Sequence, residues 1–331
     1  MKGYNILSCF DGMSCMQIAL DKLKIPVNKY FASEIDKYAM KVTQANFPNT
    51  IQVGNIEFVT KEMLNNKIDI LVGGSPCQGF SFAGKQLNFE DPRSKLFFEF
   101  VRLKRELKPK YFLLENVRMK KEYQDIISSY LGVEPIMINS SLVSAQNRVR
   151  LYWTNIPGIT QPEDKGVVMK DITLDDSDKI GAMRGRYIID GKRQDYKIKT
   201  AGMTTQRIEP RKDYKSNCLT TVAKDNYLLK LFNTNPSGNG MNGWVYHTDY
   251  KSPTLTTNKG EGNKISHDGL WYRKLTPIEC ERLQTVPDDY TNHVSNSQRY
   301  KMLGNGWTVD IITHMLKQLI NNALDCKRHI K

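Results

Sequence analysis

The chain has 331 residues, 40% of them hydrophobic and 25% charged, a balance that excludes intrinsic disorder and gives room for one full α/β domain plus a smaller one. The formal net charge of +13 is spread along the chain, which suits a polyanion lying across the protein and equally a plain basic surface. No apolar run is long enough for a membrane helix, and the N-terminal residues lack the apolar core of a secretion signal. The six cysteines form no CxxC pair, so the expectation is a cytosolic or nuclear protein with reduced thiols and neither a disulfide framework nor a metal site.

Residues 4–8 predict a strand, 16–23 a helix, 30–33 a strand, 37–46 a helix and 51–53 a third strand, a βαβαβ pattern. The first strand ends in Phe10-Asp11-Gly12-Met13-Ser14, a turn open to backbone approach, and the second in Glu34, an acid placed to accept from ribose hydroxyls. Asn55-Ile56 follows the third strand and offers a polar edge and an apolar face to an adenine. Together these point to a nucleoside-containing cofactor, without the full glycine-rich fingerprint that a dinucleotide needs.

The apolar run 68–72 leads into Gly73-Gly74-Ser75-Pro76-Cys77-Gln78-Gly79-Phe80-Ser81, which presents a thiol at the carboxyl edge of the sheet. Residues 96–107 predict a helix and 111–114 a strand followed by Glu115-Asn116-Val117. Gln146-Asn147-Arg148-Val149-Arg150 precedes a strand at 151–153. A thiol, a carboxylic acid and guanidinium groups at the ends of separate strands suit nucleophilic attack on an electron-poor ring. From Ile156-Pro157-Gly158 the texture changes to short strand-like runs divided by polar turns, with a Thr-Thr phrase recurring at 204–205, 220–221 and 256–257 that reads as Thr-rich strands. Thr276-Pro277-Ile278-Glu279 predicts a capped helix start, and 308–324 a final helix preceded by the loop Leu303-Gly304-Asn305-Gly306-Trp307.

The ordered set FDG, SEI, GNI, GGSPCQGFS, ENV, QNRVR and LGNGW resembles the cytosine-5 DNA methyltransferases over about residues 4–158 and 271–315. The stretches at 96–100 and 303–309 look closest to the animal de novo branch. The resemblance implies an α/β fold, a Rossmann-like doubly wound mixed sheet of the S-adenosylmethionine-dependent type, with a smaller, mainly β or irregular target-recognition domain. Residues 1–158 plus 271–331 are then the catalytic domain and 159–270 the target-recognition domain. It further implies double-stranded DNA as partner, S-adenosyl-L-methionine as methyl donor with S-adenosyl-L-homocysteine as product, no metal, and a microbial or viral enzyme of the cytoplasm in the manner of restriction-modification. Protein partners are left open.

By the same resemblance Cys77 adds to carbon 6 of a flipped cytosine, Glu115 bonds its nitrogen 3 and amine, and Arg148, grouped with Arg150, holds its carbonyl oxygen. Phe10, Gly12, Met13, Glu34, Ile35, Asn55, Ile56, Leu96, Asn305 and Trp307 surround the cofactor, Pro76 fixes the loop between cofactor and nucleophile, and Gln78, Gly79 and Ser81 close over the base. Two departures stand out. Ser14 replaces a glycine common in bacterial members, which brings Cys15 into consideration as a lining residue, and Asn55 replaces an aspartate. An RNA cytosine methyltransferase and a catalytically silent DNA-binding regulatory homologue are the alternatives; intact Cys77, Glu115 and Arg148 argue against the second.

Overall fold

Apolar runs of four or five residues, separated by amphipathic stretches, set the first half of the chain into alternating strands and helices. The computed structural model describes residues 3–75, 92–174, 180–186, 188–189, 192–193, 205–211, 230–233, 244–249, 251–254, 264–266 and 273–328. The elements begin β1 (Tyr4–Cys9), α1 (Cys15–Lys22), β2 (Val27–Ser33), α2 (Lys37–Asn46), β3 (Ile51–Gln52), α3 (Lys61–Leu64), β4 (Ile70–Gly74), α4 (Pro92–Leu107) and β5 (Tyr111–Val117). They continue with α5 (Lys121–Leu131), β6 (Ile136–Asn139), β7 (Gln146–Asn147) and β8 (Val149–Thr154).

Seven strands form one sheet in the order β3-β2-β1-β4-β5-β8-β6. The first five are parallel, whereas β8 runs antiparallel to both β5 and β6, so the sheet is mixed. Alternate residues of the central strands feed two cores, as a two-residue period requires. Ile6, Ile70, Val72 and Leu113 face one side, and Leu7, Leu71, Phe112 and Leu114 the other. Both faces are thus covered by helices, which explains why the strands read as continuous apolar runs. The strand order reverses between β1 and β4, and the crevice at their carboxyl ends is where open α/β sheets take ligands.

The later elements are α6 (Pro277–Leu283), α7 (Asn296–Asn305) and α8 (Val309–Arg328). The start of α6 follows the sequence reading: Thr276 Oγ1 accepts from Glu279 N at 3.2 Å, Glu279 Oε2 accepts from Thr276 N at 2.7 Å, and Pro277 stands at the first helical position. Ile311, Ile312, Met315 and Leu316 of α8 pack with Ile18 and Ala19 of α1 on one face of the sheet.

Two expectations are corrected. Glu115 lies inside β5, not beyond it, because pairing with Gly74 and Tyr152 on either side carries the strand on to Val117. Leu303, Gly304 and Asn305 are helical rather than loop, since α7 runs through Asn305 with Met302 and Leu303 buried; only Gly306, Trp307 and Thr308 link it to α8.

Between 158 and 273 the described residues form short strands, as the texture suggests: β9 (Ile180–Arg186), β10 (Ile188–Ile189), β11 (Lys192–Arg193), β12 (Thr205–Arg211), β13 (Lys230–Asn233), β14 (Trp244–His247), β15 (Ser252–Pro253), β16 (Lys264–Ser266) and β17 (Arg273–Lys274). Four of them make the sheet β13-β14-β16-β17, and β15 pairs with β7. Of the recurring Thr-Thr phrase, 204, 220–221 and 256–257 lie outside the described residues. Met169 and Ile172 sit within the core shared by α1 and α8, and Lys251 Nζ donates to the carbonyls of Ser141, Ser144 and Val167, so this region is tied to the larger sheet at its root.

Candidate active site

The turn between β1 and α1 is tight because Phe10, Gly12 and Ser14 all take positive φ, at 57°, 59° and 64°. Nothing lies within 4 Å of where a side chain at Gly12 would begin, so this face of the turn is open. Its amide is engaged: Gly12 N donates to Glu34 Oε2 at 2.7 Å, while Ile35 N and Asp36 N donate to Oε1 at 2.7 and 2.8 Å. Glu34 is thereby locked at the carboxyl end of β2, and a carboxylate with about four acceptor positions keeps capacity for one more donor. Ile35 beside it is 76% exposed, an apolar side chain with no cover. Asn55 Oδ1 accepts from Glu57 N and caps a short 3-10 turn whose first residue, Ile56, is buried.

Met13 and Cys15 point into the core, and burial pushes the Cys15 thiol up to about 12. Phe10 and Leu96 pack, half-buried, against the core on the other face of the sheet. Asp11 is fixed by Tyr30 Oη at 2.7 Å and Ser14 Oγ at 2.6 Å. Burial raises its carboxyl to about 6, and the charge of Glu34 adds to this, against the hydrogen bonds of Ser14 and Tyr30. The folded protein therefore keeps the Asp11 proton up to about pH 6, whereas the unfolded chain releases it near pH 4. The stability linked to that proton is full below about pH 4 and is lost as pH rises through 6, by about 3 kcal/mol at most. Urea denaturation from pH 4 to 8 is expected to show this slope in the wild type and its removal in Asp11→Asn; equal slopes in the two would rule out Asp11 as the source.

The second half of the site centres on Glu115, 8% exposed on β5. Trp307 Nε1 donates to its Oε2 at 3.1 Å. Arg150 Nε lies 2.9 Å from Oε1 as an ion pair, but its N–H is not aligned on an acceptor, so the attraction is one of charge rather than a directed hydrogen bond. Arg150 Nη1 is anchored on Val149 O at 2.8 Å. Arg148, by contrast, is turned inward: 3% exposed, its Nη2 donates to Gly304 O at 3.2 Å and Gly306 O at 2.9 Å. Burial, helped by the nearby charge of Arg150, brings its guanidinium down to about 9, still a cation at neutral pH.

Glycine at 74 is a requirement of this arrangement. A Cβ there stands 2.9 Å from Trp307 Nε1 and 3.0 Å from Glu115 Oε2, inside both contact distances. Gly74→Ala is expected to separate the indole from the carboxylate and to lower kcat about 10-fold or more with the substrate KM little changed, in steady-state kinetics. One residue on, Ser75 Oγ accepts from Asn116 Nδ2 at 3.1 Å, fastening the end of β4 to β5. Pro76, Cys77, Gln78, Gly79 and Ser81 lie outside the described residues.

The structure thus brings Glu115, Arg150 and Trp307 together and holds Arg148 just behind them. Trp307, read from sequence as a cofactor neighbour, is bonded to the candidate acid, and Asn305 is exposed at the end of α7. Sequence reasoning quoted Gly74, Asn116 and Gln146 within their motifs but gave them no role, and it did not reach the buried amide Gln284. The signal for Gln146 was its place in the QNRVR run.

A family model described as C-5 cytosine-specific DNA methylase matches residues 4–321. The chain belongs to this family. The methylase is 31% identical to the type II methyltransferase M.HpaII of Haemophilus parainfluenzae, over 96% of this chain and 89% of that one. It is 29% identical to the orphan methyltransferase M.SPRI of Bacillus phage SPR, over 97% and 98%. Among solved structures, the Entamoeba histolytica methyltransferase EhMeth superposes with a TM-score of 0.65 at 17% identity, covering 98% of this chain and 99% of that one. DNMT2 of Spodoptera frugiperda gives 0.62 at 18%, covering 96% and 100%. Identities this low show the shared fold, the mixed α/β sheet described above. Among the described residues no helix is long and apolar enough to cross a membrane, and no group of three His, Cys, Asp or Glu side chains is placed to hold a metal ion.

Proposed function

We propose that this methylase uses S-adenosyl-L-methionine to methylate carbon 5 of a cytosine flipped out of double-stranded DNA, with Cys77 as nucleophile. The observation that carries the reading is Glu115, held by Trp307 and Arg150 at the carboxyl edge of the sheet, level with Gly74 on the strand that leads into the Cys77 segment.

The residues at the β1 and β2 ends fit the cofactor. Glu34 is locked with acceptor capacity left, Gly12 faces open space, and Ile35 is an uncovered apolar surface for an adenine. Phe10, Met13, Cys15, Asn55, Ile56, Pro76, Leu96, Asn305 and Trp307 complete the proposed surround, with Met13, Cys15 and Ile56 acting from the core side. Bound there, the cofactor supplies an electrophilic methyl group.

The Cys77 thiolate adds to carbon 6 of the ring, so that carbon 5 becomes nucleophilic. Glu115 holds the exocyclic amine and moves a proton at nitrogen 3 as the ring takes up negative charge. The geometry favours Arg150 over Arg148 as the group that holds the ring's carbonyl oxygen, because Arg150 flanks Glu115 while Arg148 is buried with its Nη2 turned onto two backbone carbonyls. Carbon 5 takes the methyl group, leaving S-adenosyl-L-homocysteine, and loss of its proton to water then re-forms the 5,6 double bond and expels Cys77 as the thiolate. Gln78, Gly79 and Ser81 close over the flipped base, and residues 159–270 act as the target-recognition domain against a catalytic unit of 1–158 and 271–331. With phage and bacterial relatives, the place of action we favour is the cytoplasm.

The test is transfer of labelled methyl from S-adenosyl-L-methionine to mixed-sequence duplex DNA, beside tRNA, with the modified positions mapped by bisulfite sequencing. Label at cytosine 5 of the duplex is the expected result. Label on tRNA alone would move the substrate to RNA, and none on either with duplex binding intact would leave a regulatory homologue.

A further inference from the structure

The carbonyl oxygen of Gly306 is shared: Arg148 Nη2 donates to it at 2.9 Å and Gln284 Nε2 at 3.2 Å. Gln284 caps the C-terminus of α6, has no exposed surface, and turns its whole amide toward the segment between α7 and α8. Its Nε2 also donates to Leu303 O at 2.6 Å, and its Oε1 accepts from Thr308 Oγ1 at 2.9 Å. The same Oε1 accepts at 3.3 Å from Nε2 of Gln146, the fully buried first residue of the run that carries Arg148 and Arg150. Val309 N closes on the backbone carbonyl of Gln284 at 2.9 Å.

One buried side chain therefore fixes the path of residues 303–308 at both ends and ties it to the strand region bearing the arginines. That path decides where Trp307 stands against Glu115 and where the carbonyls of Gly304 and Gly306 hold Arg148. Most buried amides are hydrogen-bonded, and here every partner of the Gln284 side chain lies on an element that presents a site residue.

We propose that Gln284 is a positioning residue for base activation: it sets the 303–308 segment so that Trp307 orients Glu115 and the carbonyls of Gly304 and Gly306 hold Arg148 in place. This rests on the reading of Glu115 as the group that meets the cytosine. A shift of about 1 Å in such a segment costs on the order of 100-fold in rate, whereas duplex binding elsewhere is left alone.

The experiment uses the full chain as Gln284→Met, Gln284→Glu and Glu115→Gln beside wild type. It reads kcat and KM for duplex DNA, and the exchange of the cytosine 5-hydrogen with solvent in the absence of methyl donor, with thermal melting as the check on folding. Gln284→Met is expected to lose roughly 10- to 100-fold in both kcat and exchange, with the KM for DNA within about threefold. Gln284→Glu keeps the acceptor for Thr308 and Gln146 but presents a carboxylate to two carbonyls. It is expected to be as poor at pH 8 and to recover toward wild type as the pH is lowered to about 6, where the protonated acid again donates. If the Met variant does not fold, this pH profile decides. A folded Gln284→Met with wild-type kcat, a loss confined to KM, or a Glu variant with no recovery would each overturn the proposal. A fully active Glu115→Gln would overturn the reading of the site and the proposal with it; an inactive Glu115→Gln beside an active Gln284→Met overturns the proposal alone.

Discussion

Cys77→Ala is expected to lower methyl transfer by on the order of 10³-fold or more while duplex binding stays within about threefold, in single-turnover and mobility-shift measurements. Carbon 5 of cytosine is too weak a nucleophile to take a methyl group unaided, and addition at carbon 6 is what activates it. Among the cysteines whose side chains are described, none can stand in. Cys9, Cys15 and Cys280 are buried, and burial pushes all three thiols up, so they stay protonated and inert at neutral pH. Activity within tenfold of wild type in Cys77→Ala would remove covalent catalysis from the reading.

The first half of the fold was legible because its signals are local. Asp36 caps α2 by accepting from Tyr38 N, and the helix begins and ends where the pattern says. The central strands are buried on both faces, so their apolar runs are continuous and hard to miss. Local reading failed where long-range packing overrode composition. Gly304 and Asn305 look like loop, but Arg299, ion-paired with the fully buried Glu281, and the buried Met302 and Leu303 hold the helix to its end. Helix α5 was passed over although Tyr123, Ile127 and Leu131 recur at helical spacing. The pairing of β15 with β7 joins Ser252 to Gln146, a contact no local pattern encodes.

The site was legible in its residue types but not in its bonds. That Glu115 and an arginine belong together was visible; that Arg150 is the one beside it, and Arg148 the one behind, depends on which face of β8 and its approach each occupies. The Gln284 amide reaches partners on two separate segments, and its bond from Gln146 crosses 138 residues of sequence. A buried glutamine announces itself only once burial is known.

Glu115→Gln is expected to lower kcat about 10²- to 10⁴-fold, because the amide keeps the shape of the acid but cannot deliver a proton to nitrogen 3. Its structural consequence is separable. The Glu115 and Arg150 side chains are 11% and 12% exposed, and with the carboxylate gone the guanidinium is left facing an amide, at a cost of about 2 kcal/mol in urea denaturation. Arg150→Met on top of Glu115→Gln removes the stranded charge, so stability should return toward wild type while methyl transfer stays lost. Recovery of both together would mean that Glu115 acts only as a partner for Arg150. Recovery of stability alone would show that the stranded charge accounts for the instability, while the lost transfer belongs to Glu115 and Arg150 together as the groups that meet the ring.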